Sequence, residues 1–352
     1  VVPGFNDLLS GVSPISITAI DPNLRTPYVQ QFNLTLQQEF GRNFLLEIGY
    51  VGSKGTDLPR QVRINQARLA SPADPVNGII ENTPLNALFR VPFLGFSPTG
   101  LVQIQSSGNS TYHSLQASLT KRYSHGFQFL ASYTYSKAID DSSTNGPDGD
   151  ASPVATGNQQ ALFLNRGLSD FDRTQRFVLS FTYDLPRAHN ASNPLAKLLS
   201  GWEVAGIATV QSGTPLDITD SAGALLFGVT TSRANFTLEG SAAAAEGQGS
   251  VNSRLNRFFD TGAFAPAGLS FGNVGRNILR GPNQRNLDLS LIKKTSINEH
   301  QNIEFRAEFF NIFNTVNFAN PGTNIASPLT FGIITSTSSS PRIIQFALKY
   351  SF

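Results

Sequence analysis

Cysteine is absent from this 352-residue sequence. That removes disulfides, thiol nucleophiles and thiolate metal sites together. Methionine is absent as well, and the chain opens VVPGF with neither an initiator nor a signal peptide, so the expectation is a processed or partial product. Charge is scarce, at 14% against roughly 25% in an ordinary soluble domain. The 26 basic residues are dispersed and form no stripe of the kind that nucleic-acid binding requires. Long apolar runs are missing too: nothing approaches the roughly 18 residues that a transmembrane helix needs. Mean hydropathy is -0.12. A β-barrel escapes that test, because lipid-facing and lumen-facing residues alternate and dilute the average.

What is present is aromatic, glycine-rich and alternating. There are 27 Phe, 8 Tyr, 30 Gly and 20 Pro, which suits many strands joined by irregular connections. In the last segment, Arg342 to Phe352 (RIIQFALKYSF), Ile344, Phe346, Leu348, Tyr350 and Phe352 fall on one face and Gln345, Ala347, Lys349 and Ser351 on the other. Comparable alternation recurs near 28–38, 43–51, 112–122, 126–138, 175–185, 201–212, 286–295 and 300–311. With the terminal segment this makes nine strands, mostly longer than the five or six residues usual in soluble sheets. A short strand is also compatible with Ile15 to Ile20.

The connections divide by length. Gly41 to Asn43, Tyr123 to Gly126 and Asn298 to His300 read as tight turns, whereas 52–111, 139–174 and 213–285 read as long loops. Ile312 to Ser340 reads as a fourth, its apolar start compatible with a longer preceding strand. Pro186 to Ser200 turns the chain, and its NPLAKLLSGW portion is compatible with a helical turn. Short turns on one side and long loops on the other are the asymmetry of bacterial outer-membrane barrels. The fold class expected is all-β, an antiparallel transmembrane β-barrel, partial, with about nine or ten long strands. Its lipid-facing or girdle residues are Trp202, Phe346, Leu348, Tyr350 and Phe352. Glu304, Arg306 and Glu308 occupy successive positions on the opposite face, where a wet lumen lets them pair.

No catalytic set emerges. His113, His125, His189 and His300 are scattered near strand starts and turns without metal-ligand spacing. Asp140, Asp141, Asp148 and Asp150 lie close together in a loop read as solvated, but the calcium-loop spacing with its closing Glu is missing. The acid pairs Asp140/Asp141 and Glu304/Glu308 have nothing to place them across a shared cleft. No cofactor and no metal is expected, the ligand is undetermined, and the chemistry available is that of a pore or a binding surface.

Seven stretches in order carry a resemblance: TPYVQQFNLTLQQEFGRNFLLEIGYVGSKGTDL (26–58), NSTYHSLQASLTKRYSHGFQFLASYTYSKAIDDS (109–142), DFDRTQRFVLSFTYDLP (170–186), GWEVAGIATVQSGTPLDI (201–218), FGNVGRNILRGPNQRNLDLSLIKK (271–294), FRAEFFNIFNTVNFANP (305–321) and the terminal aromatic strand. The sequence resembles the carboxyl-terminal part of the barrel of TonB-dependent outer-membrane receptors, specifically the Oar-like group with a carboxypeptidase-regulatory-like domain. The resemblance implies that residues 1–352 belong to a larger barrel whose plug and amino-terminal domain lie elsewhere. It implies outer-membrane lipid, the barrel-assembly machinery and an energising inner-membrane complex as partners, no nucleic acid, and uptake of a large nutrient. Two other classes stay open on the residues alone: an adhesion or export-linked barrel, and a soluble all-β carbohydrate-binding module.

Overall fold

The structure is a computed structural model that describes residues 15–143, 156–186, 200–237, 250–298 and 300–352. In chain order the strands are β1 (Ile15–Ile20), β2 (Tyr28–Phe40), β3 (Phe44–Arg63), β4 (Phe96–Ser124), β5 (Phe127–Asp140), β6 (Gly167–Leu168), β7 (Gln175–Asp184), β8 (Trp202–Gln211), β9 (Pro215–Leu216), β10 (Asn235–Phe236), β11 (Phe264–Ala265), β12 (Leu279–Arg280), β13 (Gln284–Ser296), β14 (Asn302–Phe310) and β15 (Ile343–Ser351). Nine of them form one antiparallel path in the order β2-β3-β4-β5-β7-β8-β13-β14-β15, each long strand pairing with the next along the chain. The expected all-β, partial-barrel architecture is what forms. Among the described residues no helix is long and apolar enough to cross a membrane.

The turns explain the path. His125 and Gly126 both have positive φ, 54° and 75°, which is the backbone of a two-residue hairpin matched to strand twist. Gly41, at φ 59°, opens the turn between β2 and β3. At the opposite end the chain returns through 64–95, 141–174, 212–283 and 311–342.

Register carries one face across all nine strands. Leu34 pairs with Tyr50, Tyr50 with Leu115, Leu115 with Tyr135. Tyr133 pairs with Phe177, Phe177 with Val210, Leu287 with Ala208, Leu289 with Phe309, and Phe309 with Ile344. Every residue named is apolar or aromatic, and the same face holds Phe346 and Leu348, which are 67% and 73% exposed. Ten residues at about 3.3 Å each, tilted by roughly 40°, span about 25 Å, the height of an outer-membrane apolar band. The other face is polar: Glu47 opposes Ser118, Ser118 opposes Ser132, and Glu308 opposes Gln345.

Two strands run past their expected ends. Residues 52–63 and 96–111, read as loop, continue β3 and β4 and pair with each other from Leu58 to Arg63 and Val102 to Gly108. Register breaks around Gly55, Leu58 and Pro59 bend this extension. Beyond the apolar belt a strand no longer has one face in lipid, so the alternation that marks the rest is lost. β1 pairs in parallel with β4 there, covering the edge that β5 leaves open. β14 stops at Phe310 and does not continue into Ile312: Asn311 has φ 53°, and its side chain donates to Thr315 O at 3.0 Å and accepts from Thr315 N at 2.8 Å. The helical turn expected within NPLAKLLSGW lies mostly outside the described residues.

The packed apolar clusters lie outside the long-stranded sheet. The largest joins Leu216, Ile218, Ala234, Phe259, Ala263, Phe264, Val274, Leu279 and Phe331, all from the long connections. Phe259 meets Phe331 and Phe264 edge to face, at centroid distances of 5.3 and 5.8 Å. Smaller clusters form around Val91 and around Phe227. The long connections thus build a folded cap with an interior of its own.

Candidate functional site

The cap sits against the polar face. Ser114, Ser136 and Asp140, all on that face of β4 and β5, are buried, while Leu115 and Tyr135 on the reverse side are about half exposed. Each long connection is tied to another. Arg90, fully buried, donates from its guanidinium to the carbonyls of Arg68 and Leu226 and, at 2.8 Å, to Asn86 Oδ1. Arg233 donates to Leu164 O at 2.9 Å and to Asn165 Oδ1 at 2.7 Å. Thr219 N donates to Thr323 O at 3.0 Å, joining the third connection to the fourth.

Between these ties lies a cavity of about 400 Å³, whose lining includes Asp141, Asn165, Asp170, Asp217, Arg276 and Asn277 together with hydroxyl and amide side chains and the apolar Pro215, Leu216 and Pro321. Arg276 organises one wall. It ion-pairs with Asp140 and Asp170, the latter at 2.8 Å, and donates to Ser143 Oγ at 2.7 Å. Burial opposes the Arg276 charge, but the two carboxylates outweigh it and hold its pKa above the ordinary arginine value. Asn277, at φ 55°, donates to Asp170 Oδ1 and Leu168 O, both at 2.6 Å.

Asp217 is the unsettled member. Its Oδ1 is buried without a hydrogen bond and forms a long ion pair, 3.7 Å, with Arg233 Nε, which likewise has no hydrogen bond, although the carboxylate as a whole retains 23% exposure. Burial pushes its pKa up, and Arg233 and the Asn277 amide pull it back only in part. Oxygen-rich and mixed in charge, the cavity offers hydrogen bonds to a polar ligand. Among the described residues no group of His, Asp and Glu could hold a metal ion.

The residues singled out from sequence fall into two places. Trp202 begins β8 on the apolar face, with Lys293 Nζ 5.9 Å from its ring centroid. Phe346, Leu348 and Tyr350 share that face on β15, and Phe352 lies just beyond it, 92% exposed. Glu304 and Arg306 pair at 2.6 Å on the polar face, and Lys294 pairs with Glu203 at 2.6 Å on the neighbouring strands. Asp140 and Asp141 are buried, not solvated: Asp140 meets Arg276, and Asp141 Oδ2 accepts from Asn109 N at 2.9 Å. Asp148, Asp150 and His189 lie outside the described residues. His113 stands well inside β4, its Nδ1 2.7 Å from the Tyr50 hydroxyl. The cavity residues Asp217, Arg276 and Asn277 carried no sequence signal of their own, although all three lie in stretches that carry the resemblance.

A long-stranded antiparallel sheet, apolar and bare on one face, polar and capped on the other, is an outer-membrane barrel wall. The family model for the outer membrane beta barrel domain matches residues 3–345, and the chain belongs to that family, which places it in the outer membrane. No curated protein matches the chain. Among solved structures it is similar to the outer membrane transporter YddB from Escherichia coli, at 12% identity and a TM-score of 0.50, over 96% of this chain and 34% of that one. It is also similar to the pyoverdine outer membrane receptor FpvA from Pseudomonas aeruginosa, at 12% identity, TM-score 0.43, over 94% and 30%. The FrpB iron transporter from Neisseria meningitidis aligns at 11% identity, TM-score 0.43, over 96% and 33%. At these identities the likeness is one of fold, and the two lower scores add nothing to the first. The chain spans about a third of the length of each.

Proposed function

We propose that residues 1–352 are the carboxyl-terminal part of the barrel of a TonB-dependent receptor of the Oar-like group, the type with a carboxypeptidase-regulatory-like domain, and that the whole protein takes up a large nutrient. The observation that carries this reading is the two-sided sheet: one face apolar and uncovered, the other polar and, toward the long-connection end of its middle strands, covered by four interlocked connections. Lipid lies against Trp202, Phe346, Leu348, Tyr350 and Phe352. The terminal aromatic strand is the segment presented to the barrel-assembly machinery, and an energising inner-membrane complex acts through parts upstream. The cap faces outward, with its polar cavity as the place where a ligand first docks, and the barrel carries no catalytic role.

Growth of cells on single glycans or peptides tests the reading, comparing deletion of the full-length protein with deletion of the energising complex. Transport requires the same nutrient to be lost in both. Loss with the receptor alone would leave an adhesion or export role instead.

A further inference from the structure

The belt confines its acidic side chains to one face. Glu47, Glu203, Asp288, Glu304 and Glu308 all stand on the polar face, and no Asp or Glu in the paired registers stands on the apolar one. The apolar face carries cations alone. At its short-turn border Lys121 and Lys293 are occupied: Lys121 Nζ donates to Phe127 O at 2.7 Å and to Ser124 O at 3.1 Å, and Lys293 donates to Ser200 O. Such bending toward the nearer aqueous edge is what a lysine stem on an apolar surface does.

The opposite border is different. Lys54, Lys137 and Arg285 stand on the apolar face toward the end of the belt that bears the long connections, and among the described residues their side chains have neither a hydrogen bond nor an ion pair. Lys137 lies directly across from His113, and Lys54 across from Thr111, one same-face step along β4. Three adjacent strands therefore bring Lys54, His113 and Lys137 within about 10–12 Å of one another. Tyr50 and Phe32 pack beside the His113 ring, at centroid distances of 6.1 and 6.2 Å. The Tyr50 hydroxyl lies 2.7 Å from Nδ1, so Nε2 is the ring nitrogen not engaged by that contact.

The exposed His113 and Lys137 and the half-buried Lys54 thus sit at the edge of an apolar band, and among the described residues none of them has an acidic partner. We propose that Lys54, His113 and Lys137 bind the phosphate of a lipid head group in the outer leaflet, with Arg285 extending the cationic edge further round the wall. The band below, Leu34, Leu115 and Tyr135, meets the acyl chains. Charge complementarity selects the occupant: an anionic phosphate at the level where long extracellular connections leave the bilayer. The proposal rests on the lipid-facing reading of the apolar face.

The test uses the chain folded in a zwitterionic detergent, with heat-modifiable migration establishing that each variant is folded. Native mass spectrometry then compares retention of bisphosphorylated lipid A with that of its dephosphorylated form. Wild type retains the phosphorylated lipid at least tenfold better. K54S/K137S loses that preference, and K121S/K293S at the other border keeps it. Equal retention by K54S/K137S, or equal loss in both double variants, overturns the site. The face itself is tested separately in a chain without native cysteine: a fluorophore on Ala131→Cys is quenched by brominated lipid in phosphatidylcholine vesicles. Quenching with retention unchanged in K54S/K137S overturns the phosphate site alone, whereas absence of quenching overturns the lipid-facing reading and the site with it.

Discussion

Arg276 and Asp140, 136 positions apart, form an ion pair in which each side chain is only 8% exposed. Asp140 is the last residue of β5 and Arg276 belongs to the connection between β8 and β13, so the pair fastens the cap to the wall. Removing one partner of a buried pair leaves the other charge without compensation, at a cost of about 3–5 kcal/mol. Arg276→Ala is expected to open the cap while the wall stays folded. Limited proteolysis should nick the long connections much faster than in wild type, with heat-modifiable migration unchanged. Identical nicking rates would mean that the pair does not fasten the cap.

Asp217 gives the cap a pH dependence of definite sign. Its folded-state pKa lies above the ordinary carboxylate value because burial disfavours the anion. The folded cap therefore binds this proton more readily than the unfolded cap does. The penalty of the buried anion is fully present above the raised pKa and is relieved as pH falls through it. Asp217→Asn is expected to stabilise the cap at neutral pH, with the advantage shrinking on acidification. Amide hydrogen exchange in the 213–220 segment, followed against pH, measures the difference; an advantage that grew as pH fell would reverse the assignment.

On the apolar face, the Phe181 ring lies over Gly206, where an added Cβ would come within 2.7 Å of it. Gly206→Val is expected to reduce the folded fraction in lipid by about 1–3 kcal/mol through overpacking. Phe181→Ala in the same chain should recover part of that loss. Failure of the double variant to improve on Gly206→Val would mean that the two side chains do not compete for this space.

β15 provides the comparison between faces. Phe346→Arg or Leu348→Arg is expected to lower folding into bilayers by about 2–4 kcal/mol, and Gln345→Arg by much less. The measurement is the folded fraction in lipid vesicles against denaturant. Equal losses at both faces would contradict the orientation.

The belt was legible in sequence because one physical rule, alternation between lipid and lumen, repeats in each strand, as in Phe177, Leu179, Phe181 and Tyr183 against Val178, Ser180 and Thr182. Outside the bilayer that rule lapses, which is why the paired segments ending at Arg63 and beginning at Phe96 read as loop. The cap was still less accessible. The segment RFFDTGAFAPA (257–267) is apolar in sequence, but its meaning lies in Phe259 and Phe264 meeting Phe331, a contact set by tertiary packing. Asp140 and Asp141 look like solvated loop acids until Arg276 and the Asn109 amide are brought to them.

The interior formed by Phe259, Phe264 and Phe331 is removed from water by the protein itself, whereas the apolar wall relies on the bilayer to do so. One chain thus carries two kinds of hydrophobic surface with separate thermodynamics. Melting the cap hydrates aromatic area and raises the heat capacity, as for a small water-soluble domain. The wall, bathed in lipid before and after, responds to bilayer thickness and composition instead. Calorimetry of the protein in its membrane would record the first event and be nearly blind to the second.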